Sequence, residues 1–261
     1  MKLKIYQVDA FSTQLFSGNP AAVCPLESWL PDETMQNIAM ENNLAETAFY
    51  TKKGNEFELR WMTPTVEVQL CGHATLASAH VLFQHEGFSD KEIKFHTKSG
   101  VLTVRQNGDL YEMNFPADFA KAVQAPQAII DGLGIHPEET YLGKDDYMVI
   151  LANQEMVENI SPNFRKIASL TNCRGVLATA PGRDCDFVSR CFFPQSGVDE
   201  DPVTGSAHTL MTPYWAKRLG KNILHAQQLS RRKGNLQCTL EGERVKLMGA
   251  AKTYLQGEID I

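Results

Sequence analysis

An internal duplication constrains this chain more than any other feature. Arg60-Trp61-Met62-Thr63-Pro64 and Arg190-Cys191-Phe192-Phe193-Pro194 both read R-x-x-x-P inside an apolar, strand-like run. Downstream of each proline a glycine opens a helical stretch rich in small residues. One begins Gly72-His73-Ala74-Thr75 and the other Gly205-Ser206-Ala207-His208. From Gly72 to Gly100 is 28 residues, and from Gly205 to Gly234 is 29. Gly100 and Gly234 each start a strand pair, with a second glycine eight residues on at Gly108 and Gly242. Anchors kept in this order imply two homologous halves. The boundary is placed in FPADFAKAVQAP, where alternation breaks, giving halves 1–117 and 118–261. The final strand, near 253–255, is left open to return to the first half.

Each half reads as strands, a helix, then strands. In the first, residues 3–11 alternate and predict a strand. Pro31-Asp32-Glu33 starts an amphipathic helix to about Asn42, with acids in the first turn where the helix dipole favours them. Residues 45–51, 57–62, 94–97, 101–105 and 110–115 read as strands, the last two joined at Asn107-Gly108-Asp109. The helix from Gly72 to about His85 is apolar nearly all round and should be buried. In the second half, 125–133 and 163–170 read as helices. Residues 141–142, 147–152, 176–180, 187–194, 226–230, 236–240, 245–248 and 253–255 read as strands. This pattern suggests a curled sheet wrapped around a central helix in each half, and a cleft between the halves of the kind that ligands favour.

Composition narrows the function. Hydrophobic residues make up 43 % and there are 18 Gly, the balance of an ordinary globular protein. The net charge of −6, without a basic stripe, argues against nucleic acid. The start, MKLKIYQVDAFSTQLF, has no apolar core of a signal peptide, and no run approaches the ~18 apolar residues of a membrane span. A cytoplasmic location with the six cysteines reduced is therefore expected. No C-x-x-C points to structural zinc, and no phosphate loop, dinucleotide fingerprint, H-E-x-x-H or G-x-S-x-G is present. What survives is a cofactor-free, metal-free proton-transfer enzyme or a binder of small anions.

The candidate residues follow. Cys71-Gly72-His73 and Thr204-Gly205-Ser206 each place small residues at a helix start, where free N–H groups attract an anion. Close packing of the glycines alone would also explain either one, but both starts carry a polar side chain, His73 or Ser206. Glu46, among Ala45, Thr47 and Ala48, is a candidate acid/base, with an exposed strand-end glutamate as the plainer alternative. In Asp199-Glu200-Asp201-Pro202, Asp201 could reach a ligand, or the acids could simply favour the helix start. Cys71 could be a thiolate base. A two-thiol racemase would need a matching cysteine between Asp199 and Ser206, and there is none.

Taken in order, VDAFSTQLFSGNPAAVC, NLAETAFY, LRWMTPTVEVQLCGHATLASAHVL, RCFFPQSGVDEDPVTGSAHTLMTPYW and QLSRRKGNL resemble the phenazine biosynthesis protein PhzF-like family. That family is related to diaminopimelate epimerase and proline racemase, and the resemblance covers essentially the whole chain. It implies an α+β, diaminopimelate epimerase-like fold of two pseudo-symmetric halves, each a barrel-like sheet around a central helix. It also implies a cofactor-independent isomerase, often a homodimer, acting on a small carboxylate-bearing molecule. The family's acid/base glutamate maps to Glu46, its G-H histidine to His73, its E-D-P acid to Asp201 and its serine to Ser206. Backbone N–H groups at Gly72 and Gly205 would hold substrate. A non-catalytic carboxylate binder on the same fold is the alternative, followed by an epimerase using Cys71 with one other base.

Overall fold

In the computed structural model, which describes Met1 to Ile261, the alternating N-terminal run is β1 (Lys2–Ala10). It pairs antiparallel with β2 (Asn19–Leu26). The sequence does not announce β2, for two reasons. Pro20 and Pro25 sit near its ends, and nearly all of it is buried, so no polar–apolar alternation survives. Helix α1 (Asp32–Asn42) carries the chain over to β3 (Glu46–Lys53), which is parallel to β2. Asp32 and Glu33 lie in the first turn of α1, and Asn43 ends it in the left-handed conformation at φ 48°. Then β4 (Glu56–Met62) pairs antiparallel with β3, and the short β5 (Glu67–Val68) antiparallel with β4. Helix α2 (Gly72–Gln84) leads to β6 (Glu92–Thr97), parallel to β4. The hairpins to β7 (Gly100–Asn107) and β8 (Leu110–Pro116) complete the run.

Burial explains why α2 needs this sheet. Every residue from His73 to Leu82 is buried, so no face of the helix is left for water. It packs on β1, β2 and β3. The opposite face of the sheet is covered by α1, with Met35, Ile38 and Ala39 against Ala22, Cys24, Phe49 and Met62. Strands apolar on both faces are the result.

A second unit repeats this order. After the short β9 (Lys121–Ala122) and α3 (Gln127–Leu133), β10 (Glu139–Leu142) pairs antiparallel with β11 (Asp146–Ile150). Helices α4 (Gln154–Glu158) and α5 (Phe164–Ala168) carry the chain to β12 (Gly175–Pro181), parallel to β11. Antiparallel β13 (Phe187–Phe193) and β14 (Val198–Asp201) follow, then α6 (Gly205–Leu219). Next come β15 (Ile223–Gln228), parallel to β13, and antiparallel β16 (Gly234–Glu241). The chain ends with β17 (Arg244–Gly249) and β18 (Ala251–Asp260). The pairings β2–β3, β3–β4, β4–β5, β4–β6 and β6–β7 thus recur, with the same senses, as β11–β12, β12–β13, β13–β14, β13–β15 and β15–β16. Gly108 (φ 61°) and Gly242 (φ 58°) follow β7 and β16 in the left-handed region, which is why both repeats keep glycine there. The outer face of the second sheet is covered by α3, α4 and α5 through Ile129, Leu133, Val157 and Ile167.

The two compact units are Met1–Asn114 with Met248–Ile261, and Phe115–Leu247. One division falls between Asn114 and Phe115. The other exists because β18 pairs antiparallel with β1, from Lys2↔Asp260 to Ala10↔Ala251, so the final strand belongs to the first unit. No helix is long and apolar enough to cross a membrane.

The repeated R-x-x-x-P arginines do the same job in both units. Arg60, on β4, donates from Nε and Nη2 to Glu67 of β5 at 2.9 and 2.8 Å. Arg190, on β13, donates from Nε and Nη2 to Glu200 of β14 at 2.7 and 2.9 Å. Each two-point fork pins the short strand that delivers the start of a central helix. Arg60 holds the Glu67 carboxyl down at about 2 through hydrogen bonding, with Lys98 assisting.

Two stability predictions follow from these contacts. Below its folded pKa Glu67 gains no fork, and above its ordinary value the fork is complete. Its contribution of about 3 kcal/mol should therefore be lost as pH falls from 4.5 toward 2. Arg60→Met should destabilise by roughly 2–4 kcal/mol at pH 7, and the gap from wild type should close across that acid window in urea titrations. Buried His208 and His80 have the same sign in another window. Burial pushes each down to about 4, so the unfolded chain takes up the proton first. Stability should fall by about 1.4 kcal/mol per pH unit for each, from the ordinary histidine range down to about 4. A His208→Gln variant should show a shallower slope there.

Candidate active site

The first unit gathers Glu46, Cys71 and His73 at the start of its buried helix. Glu46 is the first residue of β3 and lies opposite Ala21 of β2. The turn before it is held by Asn42, whose side-chain amide donates to Thr47 Oγ1 at 3.1 Å. Cys71 is the N-cap of α2, with extended backbone at φ −143° and no side-chain cap. Thr75 and Ser78 turn their hydroxyls back onto the Cys71 and Ala74 carbonyls at 2.6 and 2.8 Å. Polar side chains inside the helix are thereby satisfied locally, and the unsatisfied chemistry is left at its N-terminus.

His73 Nε2 stands 3.2 Å from Glu46 Oε2, with side-chain exposures of 7 and 17 %. Both atoms are buried, and neither is engaged in an aligned hydrogen bond. The other ring nitrogen, Nδ1, lies 3.2 Å from the Asn19 amide nitrogen and 3.5 Å from Cys71 Sγ. Burial opposes charge on this imidazole, but Cys71 and Glu46 outweigh it and hold His73 well above the usual histidine range. Burial, reinforced by the charge of Glu46, pushes the Cys71 thiol up to about 11. At neutral pH it is a thiol, not the thiolate a sulfur base needs. The ligating atoms of Glu46, Cys71 and His73 lie within 4.8 Å of one another.

The second unit places Asp201 and Ser206 at the start of α6. Asp201 ends β14 and pairs with Cys191. Its Oδ2 accepts the Thr204 hydroxyl proton at 2.5 Å. Gln228, fully buried, clamps this turn. Its Oε1 accepts from Thr204 N at 2.8 Å, and its Nε2 donates to the Asp201 carbonyl at 2.7 Å. His208 sits one turn inside α6, its Nδ1 2.8 Å from the Thr204 carbonyl oxygen. Ser206 Oγ accepts from Arg174 Nη2 at 3.0 Å. Arg174 is itself held by Asp146.

The repeat makes the differences between units legible. Register aligns Phe49, opposite Arg60, with Ala178, opposite Arg190. Counting back three residues on each strand, the position of Glu46 is taken by Gly175 in the second unit. A Cβ on Gly175 would lie 2.3 Å from the Phe192 carbonyl oxygen, so no carboxylate fits there. Likewise Cys71 corresponds to Thr204 and His73 to Ser206, since Gly72 and Gly205 both open their helices. Glu67, Gln228, Asp146 and Arg174 were not singled out from sequence. Only the doubled R-x-x-x-P signal hinted at any of them, through the arginine partner of Glu67.

With this geometry in view, the comparisons are consistent. The family model for phenazine biosynthesis-like protein matches residues 8–257. A protein of Pseudomonas aeruginosa, named an uncharacterized isomerase, is 49 % identical over 100 % of both chains. A crystal structure of an Enterococcus faecalis phenazine biosynthesis protein of the PhzF family superposes with TM-score 0.98 at 44 % identity, covering 100 % of both chains. A hydroxyproline epimerase from Agrobacterium vitis, 9 % identical with TM-score 0.61 over 99 % of this chain and 92 % of that one, shares the fold. The fold is the α+β, diaminopimelate epimerase-like architecture, and the chain belongs to the phenazine biosynthesis-like (PhzF) family.

Proposed function

We propose that this protein is an isomerase that moves a proton between two carbons of a small carboxylate substrate, with Glu46 as the single acid/base. The observation that carries the reading is the buried contact of Glu46 Oε2 with His73 Nε2 at 3.2 Å. Relatives named isomerases support the reaction class.

The chemistry is redox-neutral. Glu46 removes a proton as one C–H bond breaks, and the electron pair moves along the conjugated system as a double bond shifts. Glu46 then returns the proton to a second carbon. Both steps use one oxygen-bearing group, so the neighbouring donor must steady the carboxylate without taking over its proton. His73 is placed for that, with its Nε2 3.2 Å from Glu46 Oε2 and its Nδ1 beside Asn19 and Cys71. Backbone N–H groups at Gly72 and His73, at the N-terminus of a buried helix, favour negative charge developing on substrate. In this reading Gly205, Asp201 and Ser206 hold polar groups of the substrate, the role the family resemblance gives them. Cys71 is a neutral packing residue whose thiol faces His73, and nothing in the proton transfer requires it to ionise.

The test is solvent deuterium incorporation from D₂O into a panel of small cyclic and amino carboxylates. Wild type should exchange at least one of them. Glu46→Gln should lose that exchange by roughly 10²–10⁴-fold, and Cys71→Ser should retain it. Equal binding by wild type and Glu46→Gln with no exchange would instead make the protein a carboxylate binder. Loss of exchange in Cys71→Ser would move the base to sulfur.

A further inference from the structure

We infer that Arg174 is the residue that makes the second unit selective for a carboxylate, presenting its unused guanidinium edge together with the Ser206 hydroxyl. The inference rests on the proposed reading that Ser206 binds substrate. It adds the partner that sets which chemical group Ser206 accepts.

Three arginines in this chain are forked onto a carboxylate, and two of them are saturated. Arg60 gives Nε and Nη2 to Glu67 and Nη1 to Asp32 at 2.8 Å, with 20 % of its side chain exposed. Arg190 gives Nε and Nη2 to Glu200 and Nη1 to the Ile160 carbonyl at 2.8 Å, with 12 % exposed. These are structural arginines, since every guanidinium nitrogen is consumed. Arg174 differs. Its Nε and Nη2 bind Asp146 at 3.1 and 2.5 Å, and Nη2 also reaches Ser206. Nη1 has no protein partner, and 40 % of the side chain is exposed.

The spare edge is also held still. Asp146 is only 7 % exposed and fixes the plane of the guanidinium from behind. The ring of Phe193 lies under it, 4.9 Å from the central carbon to the ring centroid. Side-chain entropy that would oppose binding has thus largely been lost already. The hydrogen bond from Nη2 occupies an acceptor position on Ser206 Oγ, which leaves the serine its own proton to donate. Arg174 Nη1 offers only donors and a positive charge, and Ser206 Oγ offers its own proton with one lone pair left. A carboxylate, an acceptor on both oxygens and negatively charged, satisfies both donors at once, whereas a primary amide is uncharged and has a single acceptor oxygen for the two.

The duplication supplies the context. Arg174 precedes Gly175, the counterpart of Glu46, so the corner that carries the base in one unit carries a cation in the other.

The test uses full-length protein and pairs of probes, anthranilate with anthranilamide and pyrrole-2-carboxylate with its amide, measured by calorimetry. Wild type should bind a carboxylate more tightly than its amide. Arg174→Gln should weaken carboxylate binding by roughly 10- to 100-fold and leave the amide unchanged. Arg174→Lys should recover part of the preference, as charge without the planar edge. Because Arg174→Gln strands the buried Asp146, the pair Arg174→Gln with Asp146→Asn is measured as well, with thermal unfolding as a control. It should match the single variant in ligand preference while unfolding nearer to wild type. Unchanged carboxylate binding in either variant, equal loss for acid and amide, or failure of wild type to prefer any carboxylate would each overturn the assignment. The two readings separate cleanly. Glu46-dependent exchange that ignores Arg174 would leave the isomerase standing without this residue. Arg174-dependent carboxylate preference with no exchange would leave the recognition standing without the isomerase.

Discussion

A helix with no face toward water can persist only if a sheet closes around it, and that requirement shapes each unit of this protein. In α2 every position from His73 to Leu82 is buried, including a serine, a threonine and two histidines. Backbone polar groups are satisfied along the helix, and the hydroxyls of Thr75 and Ser78 are returned to carbonyls one turn back. His80 is met by Tyr111 and Thr253 at 2.9 and 2.8 Å. Helix α6 solves the same problem with Thr212 on the His208 carbonyl and His208 against the Thr204 carbonyl. The groups that cannot be satisfied from within are the first N–H donors of each helix. The fold therefore produces a polar, anion-favouring helix start inside an apolar surround, and it does so twice.

What places those starts is the arginine fork. A two-residue strand such as β5 has too few ladder bonds to hold itself. Bidentate pairing of Arg60 with Glu67 ties it to β4 at a fixed register just before Cys71. Arg190 and Glu200 do the same ahead of Thr204. The proline of R-x-x-x-P lies just beyond β4 or β13, where it ends that strand's run of donors before the chain turns into the short strand.

Much of this scaffold was legible in the sequence because its signals are local or repeated. The all-round apolar helix, the glycines of the two equivalent turns and the paired arginines all read directly. Strand β2 did not, because prolines near both ends and burial of both faces remove the alternation that marks a strand. The short helix α4 also escaped notice, since five residues carry too little periodicity. At the site, the difficulty lies in distance along the chain. Glu46 meets His73 across 26 intervening residues of strand and loop, and no spacing rule distinguishes it from a strand-end glutamate in water. Family resemblance singled it out, and the fold sets its Oε2 3.2 Å from His73 Nε2. Arg174, Asp146 and Gln228 carried no local signal at all, because each matters only through a partner on another element.

Duplication followed by divergence accounts for the chemistry better than symmetry does. A two-base enzyme needs comparable bases in both halves. Here the position of Glu46 is taken in the second unit by Gly175, where a Cβ would clash, and the N-cap thiol of Cys71 has Thr204 as its counterpart. The thiol that remains is pushed up to about 11 by burial, beyond use as a base at neutral pH. One unit has thus kept a carboxylate beside a buried imidazole, and the other has kept hydroxyls, Asp201 and a cation. Under the proposed function the proton is returned by the same group that took it. That suits transfer between two carbons within reach of one carboxylate, and it disfavours inversion at a single carbon, where the proton must arrive from the opposite face.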